Sequence, residues 1–174
     1  MDLEAEPGAG NRVTRRLDVT GKKDYEKALA EFGAATGGRM DILFNNAGIG
    51  AGGFFDEQPF EDVLRVVNVN FIGVLNGIHS SIGLLKATPN SLCFTTSSSS
   101  ATYGMPGIAV YSATKHAVKG LTVALSIEFR RHGVRATGAR RTRQGRRQCA
   151  GTRARKQMAG NDPRHFHVAR QACL

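Results

Sequence analysis

The stretch Met40-Asp41-Ile42-Leu43-Phe44-Asn45-Asn46-Ala47-Gly48 decides how the rest of the chain is read. A short, nearly continuous apolar run stops abruptly in polar and small residues. A strand with one face in water would alternate instead, so this run reads as a strand buried in a parallel sheet. Glycines at 48, 50, 52 and 53 follow, and the carboxyl end of the strand opens onto loose backbone.

Downstream, Pro59 with Glu61 and Asp62 behind it carries the signature of a helix start. Apolar residues from Val63 to Ile82 cover more than one face of this long helix (residues 59–86). That breadth suggests burial against both a sheet and a partner. Ser91–Thr96 reads as a second strand and Ala109–Arg131 as the last clear helix, ended by His132-Gly133. Upstream, Lys22–Thr36 has Tyr25, Leu29 and Phe32 on one helical stripe, and Arg12–Val19 has strand character. Strands alternating with helices imply an α/β fold with a parallel sheet.

The chain has 174 residues, 41% of them hydrophobic, and a formal charge of +10. That is enough apolar material for a real core, which excludes wholesale disorder. No apolar run reaches the roughly 20 residues of a membrane span. The acidic start, Met1-Asp2-Leu3-Glu4-Ala5-Glu6, has no apolar core of a signal peptide. Three distant cysteines, Cys93, Cys149 and Cys173, form no disulfide framework, so a cytoplasmic location is expected.

The charge is unevenly placed. Residues 1–135 hold 14 basic and 13 acidic residues, a net of +1, while residues 136–174 hold ten basic residues against Asp162, a net of +9. The sequence therefore divides into a globular body, 1–135, and a basic tail, 136–174, expected to be disordered. An Arg-rich tail raises nucleic acid as a partner, but no aromatic interleaving or reading motif accompanies it. Cys149, His165, His167 and Cys173 show no recognised zinc spacing, and no metal site is expected.

The chemistry concentrates in the last helix. Tyr111 and Lys115 stand four apart and project from one face. An ammonium group beside a phenol favours the phenolate, and such a pair can pass a proton to or from an alcohol/ketone couple. Alone the spacing is weak, since any helix contains it by chance. Its company is more specific. Asn45-Asn46-Ala47-Gly48 closes a strand, Ser98 lies 13 residues before Tyr111 just past another strand, and Asn70-Phe71-Ile72-Gly73 interrupts an apolar helix. A buried amide needs partners, so Asn70 is read as a tether to backbone, a role compatible with proton relay.

In this order and spacing, Leu17-Asp18-Val19, Asn45-Asn46-Ala47-Gly48, Asn70 with Gly73, Ser98, and Tyr111-Ser112-Ala113-Thr114-Lys115 resemble the motifs of the short-chain dehydrogenase/reductase family, single-domain type. The likeness runs over about residues 12–135. It implies an NAD- or NADP-dependent oxidoreductase with Tyr111 as general acid/base and Lys115 assisting it and binding the nicotinamide ribose. It also implies Ser98 at the substrate oxygen and Asn70 in the relay. Asp18 and Val19 would flank the adenine, and Asn45, Ala47 and Gly48 would line the cofactor cleft. A small-molecule alcohol or ketone is the implied substrate, with Phe54, Phe55 and Met105 suggesting an apolar one. A homodimer or tetramer would form through helices 59–86 and 109–131; the small-residue ridge Ala113, Ala117, Gly120 and Ala124 suits that close approach and equally suits packing on the chain's own sheet.

The family's opening strand, glycine-rich turn and helix have no counterpart here, since Pro7-Gly8-Ala9-Gly10 lacks the spacing. The expected fold is thus a partial doubly wound Rossmann-type sheet lacking the first βαβ unit. Without that unit, Arg12–Val19 has no native neighbour, and pairing shrinks to residues 40–46 beside 91–96. After Val134 the apolar pattern fails, and the Arg/Ala/Gly-rich text resembles GC-rich DNA translated in a shifted frame. An inactive fragment of such an enzyme is therefore the alternative reading.

Overall fold

The computed structural model of the chain describes residues 15–141. Among them one parallel sheet forms, in the order β1 (Ile42–Asn45), β2 (Leu92–Ser98), β3 (Arg135–Arg141). Phe44 stands beside Phe94 and Asn45 beside Thr95, and β3 runs in step with β2 from Arg135 beside Leu92 to Arg141 beside Ser98.

Four helices accompany the strands: α1 (Lys22–Thr36), α2 (Phe60–Val67), α3 (Gly73–Lys86) and α4 (Ala109–Glu128). Strand order follows chain order, so each crossover steps the same way, and the fixed hand of such crossovers puts both on one face. α3 and α4 pack on the sheet there, and α1 packs against α3. Leu43 and Cys93 from the strands meet Val74 and Ile78 of α3 and Val118 of α4 in the core, with Tyr25 and Leu29 of α1 closing it. The opposite face is partly open among the described residues: Ile42 and Phe44 are exposed, and the Phe94 ring lies 5.1 Å from that of Phe44.

Several expectations are met. α1 has the expected bounds, and the helix expected over 59–86 is present as α2 and α3, separated by one wide π turn at Asn68–Ile72. The last helix continues through a 3-10 turn to Gly133, whose φ of 69° suits glycine. Two expectations need correction. The described part of the strand expected over 12–19 is not a strand: residues 15–18 have no regular structure and 19–20 form a turn. Leu17 and Val19 still bury their side chains in the core, so the apolar pattern was real although no neighbouring strand pairs with it.

The second correction is β3. Where the strand pattern was expected to fail after Val134, a strand runs from Arg135 to Arg141. Residues 142–174, the remainder of the expected tail, lie outside the described residues. Ala136, Gly138 and Ala139 are weak strand formers, and pairing with β2 outweighs them. A Cβ at 138 would come within 2.6 Å of the Thr95 carbonyl oxygen, so the close approach requires glycine. Small side chains on β3 also leave an open groove of about 280 Å³ beside α4, lined by Thr122 and Ser126 among others.

Two outcomes follow from this packing. Apolar area on an unpaired sheet face invites self-association. Phe44→Lys should therefore lower light scattering at fixed concentration with the far-UV spectrum unchanged. A native chain that stays monomeric and melts cooperatively would sink this idea. Secondly, burial pushes the Cys93 thiol up from 9.0 to about 11, against a smaller opposing effect of a Thr95 hydrogen bond. The folded state then holds this proton more tightly than the unfolded chain. Its contribution is intact below pH 9 and is lost as pH rises through 11, on the order of 2 kcal/mol. Urea midpoints measured across that range should fall, and fall less steeply in Cys93→Ala.

Candidate active site

The carboxyl ends of β1 and β2, the π turn and the first half of α4 converge on one region. Asn70 sits within the π turn and is fully buried. Its Oδ1 accepts from the Ile49 N–H at 2.8 Å, while its Nδ2 donates to the Ile49 carbonyl at 2.9 Å and to Thr114 Oγ1 at 3.3 Å. One amide therefore grips both backbone groups of the residue after Gly48 and reaches across to α4. The tether expected for Asn70 is observed in this form.

Lys115 is 4% exposed, and its Nζ donates to the Thr96 carbonyl at 3.0 Å. The same nitrogen lies 5.8 Å from the centre of the Tyr111 ring, within reach of its electron-rich face. Gly48 separates Asn70 from Lys115. A Cβ there would stand 3.3 Å from Asn70 Oδ1 and 3.4 Å from Lys115 Nζ, filling the cradle between them. α4 is further fixed to β2 by Ser97 Oγ donating to the Lys115 carbonyl at 3.2 Å. Ser98 caps the short 3-10 turn Ser99–Ala101: its Oγ accepts the Ser100 N–H at 3.2 Å and stands 2.7 Å from the Ser100 hydroxyl. Asn70, Gly48, Lys115 and Tyr111 are thus one connected group. Ser98, two residues beyond Thr96, turns to Ser100.

The other anticipated residues sit elsewhere. Asn45 is buried under α3, and neither atom of its amide has a hydrogen-bond partner among the described residues. A Cβ on Gly77 would fall 2.4 Å from Asn45 Oδ1, which is why glycine stands there. Ala47 is half-buried against the core. Val19 is a core residue below Gly73, with its carbonyl held by Asn76 Nδ2 at 3.0 Å. Exposed Asp18 folds its carboxylate onto Thr20, accepting from N–H and hydroxyl at 3.0 and 2.8 Å.

Two loops form the rim. Phe54 and Phe55 on one and Tyr103 on the other are each about 60% exposed. Gly53 donates its N–H to the Gly107 carbonyl at 3.0 Å, and Gln58 Nε2 holds the Gly53 carbonyl at 2.9 Å. Both glycines have positive φ, 126° and 75°, which explains the residue type. Sequence reasoning missed this stitch, and it missed Thr114, Thr96 and Ser100 as partners. A polar residue at i+3 inside the Tyr-Lys interval was the available signal for Thr114.

A cofactor can be tested against this geometry. The open side of Gly48, flanked by the Lys115 ammonium, suits the hydroxyls of a group such as the ribose of a nicotinamide dinucleotide. Among the described residues no glycine-rich turn onto a helix N-terminus offers the matching pyrophosphate seat.

Comparison with known proteins gives the same answer. The family model described as short chain dehydrogenase matches residues 2–140. The chain is 34% identical over 112 residues to a 3-ketodihydrosphingosine reductase of Bacteroides thetaiotaomicron, an alignment covering 64% of this chain and 41% of that protein. It is 33% identical over 127 residues to a cyclohexanol dehydrogenase of Acinetobacter sp., covering 72% of this chain and 51% of the relative. A gluconate 5-dehydrogenase from Burkholderia cenocepacia, solved with NADP and tartrate, superimposes with a TM-score of 0.69 at 31% identity, covering 72% of this chain and 49% of that one. The chain thus spans about half the length of these relatives. With the family model matching residues 2–140, the chain belongs to the short-chain dehydrogenase family.

Proposed function

We propose that this chain carries the proton-transfer site of an NAD- or NADP-dependent oxidoreductase acting on an alcohol/ketone couple. The observation that carries this reading is the buried Lys115 ammonium, anchored on the Thr96 carbonyl and set beside the Tyr111 ring. Tyr111 is the proton donor and acceptor. Lys115 places positive charge next to it and reaches the ribose hydroxyls, while Ser98 meets the substrate oxygen. Asn70 holds the backbone at residue 49, and through it the Gly48 cradle, in position. A bound nicotinamide supplies or takes the hydride. Phe54, Phe55, Tyr103 and Met105, exposed at the rim, favour an apolar alcohol or ketone.

A second reading has an observation in its favour. The chain spans about half of its relatives, and the described residues offer no pyrophosphate seat, so it is also read as an inactive fragment of such an enzyme. Its partners are a further proposal. Leu64 on α2 and Val123 and Ile127 on α4 are exposed apolar residues, and with Gly120 and Ala124 they suit pairing with a second copy. Among the described residues no helix is long and apolar enough to cross a membrane.

Titration with NADH and NADPH, followed by nicotinamide fluorescence, separates the two readings: saturable binding supports the enzyme, and its absence supports the fragment. Tyr111→Phe should lower ketone reduction by about 10²–10⁴-fold with stability unchanged. Asn70→Ala should cost about 2–3 kcal/mol of stability as well, because it strands both backbone groups of residue 49. Ile127→Glu should shift the sedimentation profile towards monomer if α4 forms the pairing surface.

A further inference from the structure

Two hydroxyls in contact close the end of β2. Ser98 has an extended backbone, and the chain turns immediately after it, bringing Ser100 back beneath it. Ser98 Oγ accepts the Ser100 N–H at 3.2 Å and stands 2.7 Å from Ser100 Oγ. Both side chains are buried, at 6% and 3% exposure. The backbone bond has a fixed sense, whereas the hydroxyl pair can run either way, and its direction decides what Ser98 can do.

A serine hydroxyl offers one proton and two acceptor positions. The acceptor that the Ser100 hydroxyl reaches among the described residues is Ser98. If Ser100 gives its proton there, both acceptor positions of Ser98 are filled, one by N–H and one by O–H. The remaining capacity of Ser98 is its own proton, which then points away from Ser100. A ketone oxygen is an acceptor without a proton, so it completes the chain. An alcohol fits too, once its proton has passed to Tyr111. Hydrogen bonds aligned in one direction polarise one another, so the outer bond is strengthened by the inner one. In the reverse direction the Ser98 proton is spent on Ser100, and a substrate carbonyl finds no donor at Ser98.

We infer that Ser100 is a positioning residue: it aims the Ser98 hydroxyl outward as a donor and strengthens its bond to the substrate carbonyl. This rests on the proposed reading in which Ser98 meets the oxygen of a ketone. Ser100 itself touches no substrate and acts through Ser98.

The test uses the full chain and cyclohexanone as probe, with the carbonyl stretch of the bound ketone read by difference infrared spectroscopy. The native chain should hold the band at lower frequency than Ser98→Ala does. Ser100→Ala should move it part of the way towards Ser98→Ala, and Ser100→Thr, which keeps the hydroxyl, should restore it. A residue with a merely structural role would leave the frequency unchanged in every folded variant. Should Ser100→Ala fail to fold, Ser100→Cys keeps the volume with a weaker donor and should give an intermediate band. The inference is overturned if the variant at 100 that folds without a strong donor matches the native band, or if the native chain shows no displaced band. Reduction of cyclohexanone by NADH or NADPH is measured on the same samples. A displaced band without hydride transfer defeats the oxidoreductase reading and leaves the Ser100 role standing. Hydride transfer with a band insensitive to residue 100 does the reverse.

Discussion

The amide of Asn70 is shut away from water, and both of its N–H donors and its oxygen are hydrogen-bonded within the protein. An ordinary hydrogen bond contributes only about 1 kcal/mol net, but stranding a buried donor or acceptor costs more than that. The wide turn at Asn68–Ile72, the backbone at Ile49 and Thr114 of α4 are consequently held as a set. Widening the helix by one residue aims this side chain at the loop after β1. Gly48 has its fixed place beside Lys115 because residue 49 cannot shift without breaking two bonds at once. The site is therefore organised by a group that need not take part in any chemical step.

Close approach is the second constraint. Gly73 meets the Val19 side chain, and Gly77 accommodates the Asn45 amide, so α3 sits nearer to its neighbours than side chains there would allow. The gain is dense packing around Tyr25, Val74 and Ile78. The cost is the Asn45 amide, buried with both polar atoms unmatched among the described residues, a penalty of about 1–3 kcal/mol for each group. Burial also pushes the Tyr25 hydroxyl well above its ordinary range, a mark of how dry this corner is.

Most helices and two strands were legible in the sequence because their signals are local. Pro59 with its acidic followers, the Tyr25–Leu29–Phe32 stripe and His132-Gly133 each mark an element without knowledge of its neighbours. β3 was not legible. Ala136, Thr137, Gly138 and Ala139 carry no strand signature, and only the open edge of β2 makes a strand of them. The reverse error fell on residues 15–19, where apolar character was read correctly but pairing depends on a neighbour that the described residues do not supply. At the site, the ordering of Tyr111, Lys115, Asn70 and Gly48 was visible as spacing. The orientation of Asn45 towards α3 was not, because alternation along β1 sends adjacent Asn45 and Asn46 to opposite faces and the sequence does not say which is covered.

The order of strands also bears on how the chain reaches this structure as it leaves the ribosome. Phe44 of β1 pairs with Phe94 of β2, and Leu92 pairs with Arg135 of β3, so each strand waits for an entire crossover before it gains a neighbour. Such distant pairings are slow, since the intervening chain must close first. The Asn70 amide can grip residue 49 much earlier, before β2 is available to pair with β1. Synthesis from the amino end would thus set the loop that bears Gly48 before β2 and β3 are made, and each of these strands would add to a loop already in place.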